Sequence, residues 1–194
     1  MRKKIIAVAL VIAAAALLVI GSSLAWLTST ENKVNAFLPG KVAISVQEEF
    51  QSGTEPTVGT PAVKKVAVKN DTGLGSNVNA FLRVKLVPVW RDADTNANRG
   101  LPVDNVQLNL ASGSGWFLGS DGCYYYPDPV APGGLTAELL SSVTIQSAPS
   151  PVYDNAYLEI QVLADGIQAE GDAASAVAEA WPAVKVQNGT LVEN

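Results

Sequence analysis

Few side chains in this sequence are of a type and spacing that could do chemistry. The chain holds no His, one Cys and one Met. Without His there is no Ser-His-Asp triad, no Cys-His dyad and no His-ligated zinc or haem. Asp92, Asp94 and Asn96 have the alternate-oxygen spacing of the first three ligands of a calcium loop. Calcium takes about six to eight oxygens, and such a loop ordinarily continues with Gly and ends in a bidentate Glu. Here Ala97 and Val103 stand at those two places. The segment reads as a solvated acidic loop, which leaves Asp92, Asp94 and Asn96 as weak calcium candidates and no other metal or cofactor expected.

Cys123 precedes Tyr124-Tyr125-Tyr126 and has no basic neighbour in sequence to lower its pKa. A small apolar strand residue is therefore expected rather than a thiolate nucleophile. A lone Cys forms no internal disulfide, so any oxidised crosslink would join two chains. Ser and Lys are plentiful, but nothing in their spacing marks a Ser-Lys nucleophile. Asn70-Asp71-Thr72 and Asn188-Gly189-Thr190 match the glycosylation sequon, a pattern common by chance. No enzymatic activity is expected.

The elements that must carry these residues are strands. Val42, Ile44 and Val46 alternate with small or polar neighbours. Val66 and Val68 alternate against Lys65, Ala67 and Lys69, and Leu82, Val84 and Leu86 against Arg83 and Lys85. Val106, Leu108 and Leu110 repeat the pattern, as do Leu158, Ile160 and Val162 against Glu159 and Gln161. Period-2 spacing belongs to half-buried strands, and Pro39-Gly40, Asn70–Gly73, Asp121-Gly122 and Pro132–Gly134 punctuate them as turns. The fold expected is an all-β antiparallel sandwich or jelly roll. One short helix is expected over residues 172–181, capped by Asp172, with Val177 and Trp181 on its buried side and Pro182 ending it. Arg91–Asn105 reads as a long polar loop, a last strand is expected at Val184–Val186, and residues 188–194 read as a flexible tail.

Before the sandwich stands a targeting segment. Arg2, Lys3 and Lys4 precede the uncharged apolar run Ile5–Ile20, and small residues at Ser23 and Ala25 form a cleavage site before Trp26. Residues 1–25 are thus expected to be a signal peptide forming an N-terminal signal helix. The alternative is a retained anchor, since Ile5 to Leu27 spans 23 residues and about 20 apolar residues cross a bilayer. In either case the three cations hold the N-terminus inside and place the rest outside. Their removal takes the net charge from −5 to −8, which argues against nucleic acid or an anionic bilayer as a partner.

Ala25-Trp26-Leu27-Thr28-Ser29-Thr30-Glu31, followed by Asn35-Ala36-Phe37-Leu38-Pro39-Gly40, resembles the mature N-terminus of the TasA/CalY (camelysin-like) exported proteins of Gram-positive bacteria. Val68-Lys69-Asn70 with Ala80–Val84, Asp121–Tyr126 with Ala131-Pro132-Gly133, and Ile160–Val162 through Ile167–Ala169 to Ala180-Trp181 are similar to further short motifs of that family, in the same order. The sequence departs from the pattern at Leu27, Ser29 and Cys123, where a second aromatic, Asp and Tyr are frequent.

The resemblance implies a jelly-roll-like sandwich secreted to the extracellular matrix or cell surface and matured by a SipW-type signal peptidase. It also implies self-association into biofilm matrix fibres, with sibling matrix proteins as further partners and membrane contact only through an uncleaved signal segment. In fibre-forming relatives the freed N-terminal strand inserts into the neighbouring subunit. Transferred here, residues 26–40 become the donor segment, with Trp26, Leu27, Val34 and Phe37 as anchors, ahead of a sandwich over residues 41–187. Some camelysin-like relatives carry a metalloprotease label, but a chain without His lacks the zinc site that label presumes. The competing expectation is a monomeric surface-displayed binding, adhesin or fibre-accessory module.

Overall fold

In the computed structural model, residues 40–50, 58–147 and 151–194 are described. The expected signal helix, the segment 26–39, and with them Ala25, Trp26, Leu27, Val34 and Phe37, lie outside the described residues. In chain order the strands are β1 Ile44–Phe50, β2 Ala62–Asn70, β3 Ala80–Asp92, β4 Val106–Leu110, β5 Phe117–Leu118, β6 Tyr124–Val130, β7 Leu140–Ile145, β8 Ala156–Gln168, β9 Val184–Gln187 and β10 Thr190–Glu193. The helix α1 spans Ala173–Ala180. One sheet has the order β1-β2-β7-β4 and the other β5-β6-β3-β8, with β9 and β10 forming a separate hairpin. Every pairing is antiparallel, so the expected all-β sandwich with one short helix near its C-terminus is present.

Strand β3 divides two cores, because its alternate side chains point to opposite faces. Ala80, Leu82, Val84 and Leu86 face the first sheet and pack with Val66, Val68, Leu139, Leu140 and Val143. Phe81 faces the other way and packs with Tyr125, Ile167, Val177, Trp181, Val184 and Leu191. Fully burying each such side chain contributes about 1.5–3 kcal/mol. Pro88 fits within β3 because β6 pairs with that strand only as far as Val84, leaving one edge free of ladder partners there.

The second core exists because α1 and the C-terminal hairpin cover one end of the outer face. Asp172 accepts a hydrogen bond from Ser175 N–H at 3.4 Å, and Val177 and Trp181 lie one turn apart in the buried stripe. Here the expectation of a flexible tail is corrected. Residues 190–193 form β10, and Leu191 is buried in the core. The turn Asn188-Gly189 has positive φ at both residues, 52° and 83°, the backbone of the tight type I′ hairpin turn. The loop expected from Arg91 is also shorter, since β3 runs through Asp92 and Arg91 bridges to Asn98.

One buried amide ties the two sheets at the far end of β2. The Asn70 side chain is fully buried and donates to Val78 C=O at 2.8 Å and to Val130 C=O at 2.7 Å. It also accepts from the Ser76 hydroxyl. Asn70 therefore links β2 to the loop entering β3 and to the end of β6. In the folded domain both of its amide hydrogens are thus used in buried hydrogen bonds.

Candidate functional site

The acidic loop is organised by its own donors. Asp92 Oδ1 accepts from Asp94 N–H, Thr95 N–H and the Thr95 hydroxyl at 3.2, 2.9 and 2.9 Å. The Thr95 bonds hold its carboxyl below the usual range. Asp94 Oδ2 accepts from Asn155 at 2.8 Å, and the Asn96 side-chain oxygen accepts from Tyr157. The Asp92 bonds close a local turn, and those of Asp94 and Asn96 tie that turn to Asn155 and Tyr157 at the start of β8. Among the described residues no cluster of three or more His, Cys, Asp or Glu side chains is placed to hold a metal ion.

The outer face of the second sheet carries a polar cluster. A depression of about 310 Å³ is lined by Arg83, Lys85, Asp121, Cys123, Leu163 and Asp165. Arg83 is placed by the β3–β8 register, which sets it opposite Asp165. Its guanidinium lies 2.9 Å from that carboxylate, 3.5 Å from Asp121 and 5.0 Å from the centre of the Trp181 ring. The turn Gly119–Gly122 brings Asp121 beneath the Tyr125 hydroxyl, which donates to it at 2.7 Å.

Burial pushes the Tyr125 phenol up to about 12, with the neighbouring Asp121 carboxylate adding to the rise. Burial likewise pushes the Cys123 thiol up, again beside Asp121. A raised thiol pKa makes a weak nucleophile at neutral pH. The cluster neutralises its own charges, and Arg83 packs on Trp181 at the end of α1.

The remaining candidates are the strand edges, where unpaired N–H and C=O groups accept another strand. The edges differ in how they are guarded. Strand β1 has seven residues, and its Glu48 and Glu49 are ion-paired to Lys64 and Lys65 of β2 at 2.7 and 3.0 Å. Strand β5 has two residues, and beyond it β6 holds Pro127 and Pro129, which have no N–H to give. Strand β4 is five residues long.

Strand β8 is different. Its thirteen residues pair with β3 without a bulge, and it contains neither Pro nor Lys. Its two acids are neutralised from within the sheet, Asp165 by Arg83 and Glu159 by Arg91. Its inward side chains Leu158, Ile160 and Val162 pack against the first core yet stay half-buried, while Tyr157 and Leu163 are exposed outward. No other described strand pairs with its outer edge.

Two glycines close the upper end of this seam. A Cβ on Gly166 of β8 would lie 3.0 Å from Val42 and 3.2 Å from Ile44, so Gly there lets the start of the sandwich lie directly over β8. A Cβ on Gly40 would meet Val78 at 2.5 Å and Gln168 at 2.7 Å. The described chain thus begins against the end of β8. The sequence reading found the alternation of β8 but not its edge position, and the run of thirteen residues without Pro or Lys was the available signal. No family model and no curated protein matches the chain.

Proposed function

We propose that the chain is a secreted, non-enzymatic structural subunit of extracellular biofilm matrix fibres, of the TasA/CalY type, that assembles with like copies. The observation that carries this reading is the contrast among the sheet edges. Strands β1, β4 and β5 have seven, five and two residues, whereas β8 has thirteen, pairs with β3 without a bulge and is backed by half-buried apolar side chains. A monomeric sandwich ordinarily blunts such an edge, because it templates the addition of another strand.

In this reading a signal peptidase cuts between Ala25 and Trp26, and residues 26–37 of the freed segment enter a neighbouring subunit with Trp26, Leu27, Val34 and Phe37 as anchors. Cleavage then acts as the assembly switch, since a tethered N-terminus reaches no neighbour. Deleting residues 26–37 from the exported protein tests the donor role. The reading expects filaments to disappear from electron micrographs while the domain keeps its β-sheet circular dichroism. Polymerisation at the wild-type level by the deletion variant refutes it.

A further inference from the structure

The sequence of β8 is complementary to itself about a single residue. We infer that β8 of one copy pairs antiparallel with β8 of a second copy about a twofold axis through Ile160, joining their second sheets into one continuous sheet. This rests on the reading of the chain as self-associating and assigns that association to a particular strand.

A twofold perpendicular to the sheet sets inward residues against inward ones and outward against outward. Centred on Ile160, it places Tyr157 opposite Leu163 of the second copy, Leu158 opposite Val162, Glu159 opposite Gln161, Ala156 opposite Ala164, and Ile160 opposite itself. An aromatic meets an aliphatic on the outer face, aliphatics meet on the inner face, and an acid meets an amide. Such cross-strand pairs are the favourable ones.

Neighbouring registers lose this match. An axis through residue 159 sets Glu159 against its own copy. One through residue 162 sets Glu159 against Asp165 twice, and one through residue 161 sets Tyr157 against Asp165 and Glu159 against Leu163. The half-buried Leu158, Ile160 and Val162 gain apolar neighbours from the second copy. Further along, at Gly166, the inner face of β8 is already covered by Val42 and Ile44 of the same copy. A second copy is the occupant because the complementarity lies wholly within β8, and because Arg91 and Arg83 already hold its two acids, so two such edges approach without uncompensated like charge.

The test is sedimentation equilibrium on protein made from the full 194-residue chain, its N-terminus defined by mass spectrometry. Gln161→Glu places two like-charge pairs across the axis and is expected to weaken the dimer roughly 5-fold, while Gln161→Lys, set opposite Glu159, tightens it by a similar factor. Gln187→Glu and Gln187→Lys, at an exposed position of β9, alter net charge identically and are expected to leave the dimer within about 2-fold.

Nitroxide labels on Tyr157→Cys or on Leu163→Cys provide the register. They are introduced with Cys123→Ser or Cys123→Ala, whichever keeps the wild-type melting temperature. Each label then lies six residues along the strand from its symmetry mate, so both report the same separation, about 20 Å before linker spread.

A monomer at concentrations on the order of 100 µM, equal responses at positions 161 and 187, or unequal label distances would overturn the inference. Deleting residues 26–37 separates it from the donor role. A dimer that persists without those residues supports the inference whether or not filaments form. A dimer lost with them means that the N-terminal segment occupies this edge, and overturns it.

Discussion

Replacing Asn70 by Ala removes the buried amide that joins the two sheets. The side chain makes three hydrogen bonds, to Val78 C=O, Val130 C=O and the Ser76 hydroxyl. At about 1 kcal/mol net for each bond, the loss is about 3 kcal/mol. The carbonyls left without a donor in a buried junction raise it towards about 5 kcal/mol. Domains of this size carry about 5–15 kcal/mol in all, so the variant folds with much of its margin gone. Its melting temperature falls by roughly 6–12 °C at the lower figure.

Asn70→Asp is nearly isosteric but cannot donate when ionised, and is expected to cost at least as much at neutral pH. Urea unfolding followed by tryptophan fluorescence measures both, with the slope reporting whether the native state stays compact. A loss below about 1 kcal/mol for Asn70→Ala, or an Asn70→Asp protein as stable as wild type, would refute the account of this junction.

Two further outcomes follow from the outer-face cluster. Tyr125 has a folded pKa of about 12, above its ordinary value of 10.0. Its stabilising effect is therefore complete below about pH 10 and is lost as pH rises towards about 12, because the unfolded phenol ionises first. The loss is roughly 2–3 kcal/mol, seen as a falling urea midpoint that Tyr125→Phe flattens; an unchanged midpoint across that window would contradict the burial argument. Cys123, buried beneath the same cluster, is expected to react with a thiol reagent on the order of 100-fold more slowly in the folded protein than in denaturant. Equal rates would show the thiol to be accessible to crosslinking.

Much of the sandwich was legible in residue alternation. Val66, Val68, Leu82 and Val84 face the core as their spacing requires, and Asp172, Val177 and Trp181 mark the helix because capping and one-turn spacing are local effects. The C-terminal hairpin is legible only in its turn, where Asn188-Gly189 is the strongest short hairpin signal. Its strands are four residues each, too short to display a period, so Leu191 looked like part of a polar tail. Asn70 looked like turn punctuation because its partners Val78 and Val130 are brought to it by tertiary structure. The edge position of β8 depends on how strands cross between sheets, which a single strand's pattern does not encode. The calcium spacing at Asp92, Asp94 and Asn96 is a local pattern, whereas the bonds of Asp94 and Asn96 to Asn155 and Tyr157 come from tertiary structure.

This protein is proposed to join like copies outside the cell. Electron microscopy of the protein recovered from the medium and surface of expressing cells, with the subunit N-terminus read by mass spectrometry, tests it most directly. The account predicts filaments built of subunits that begin at Trp26. Single particles of the exported chain that never exceed a monomer at any concentration would contradict it.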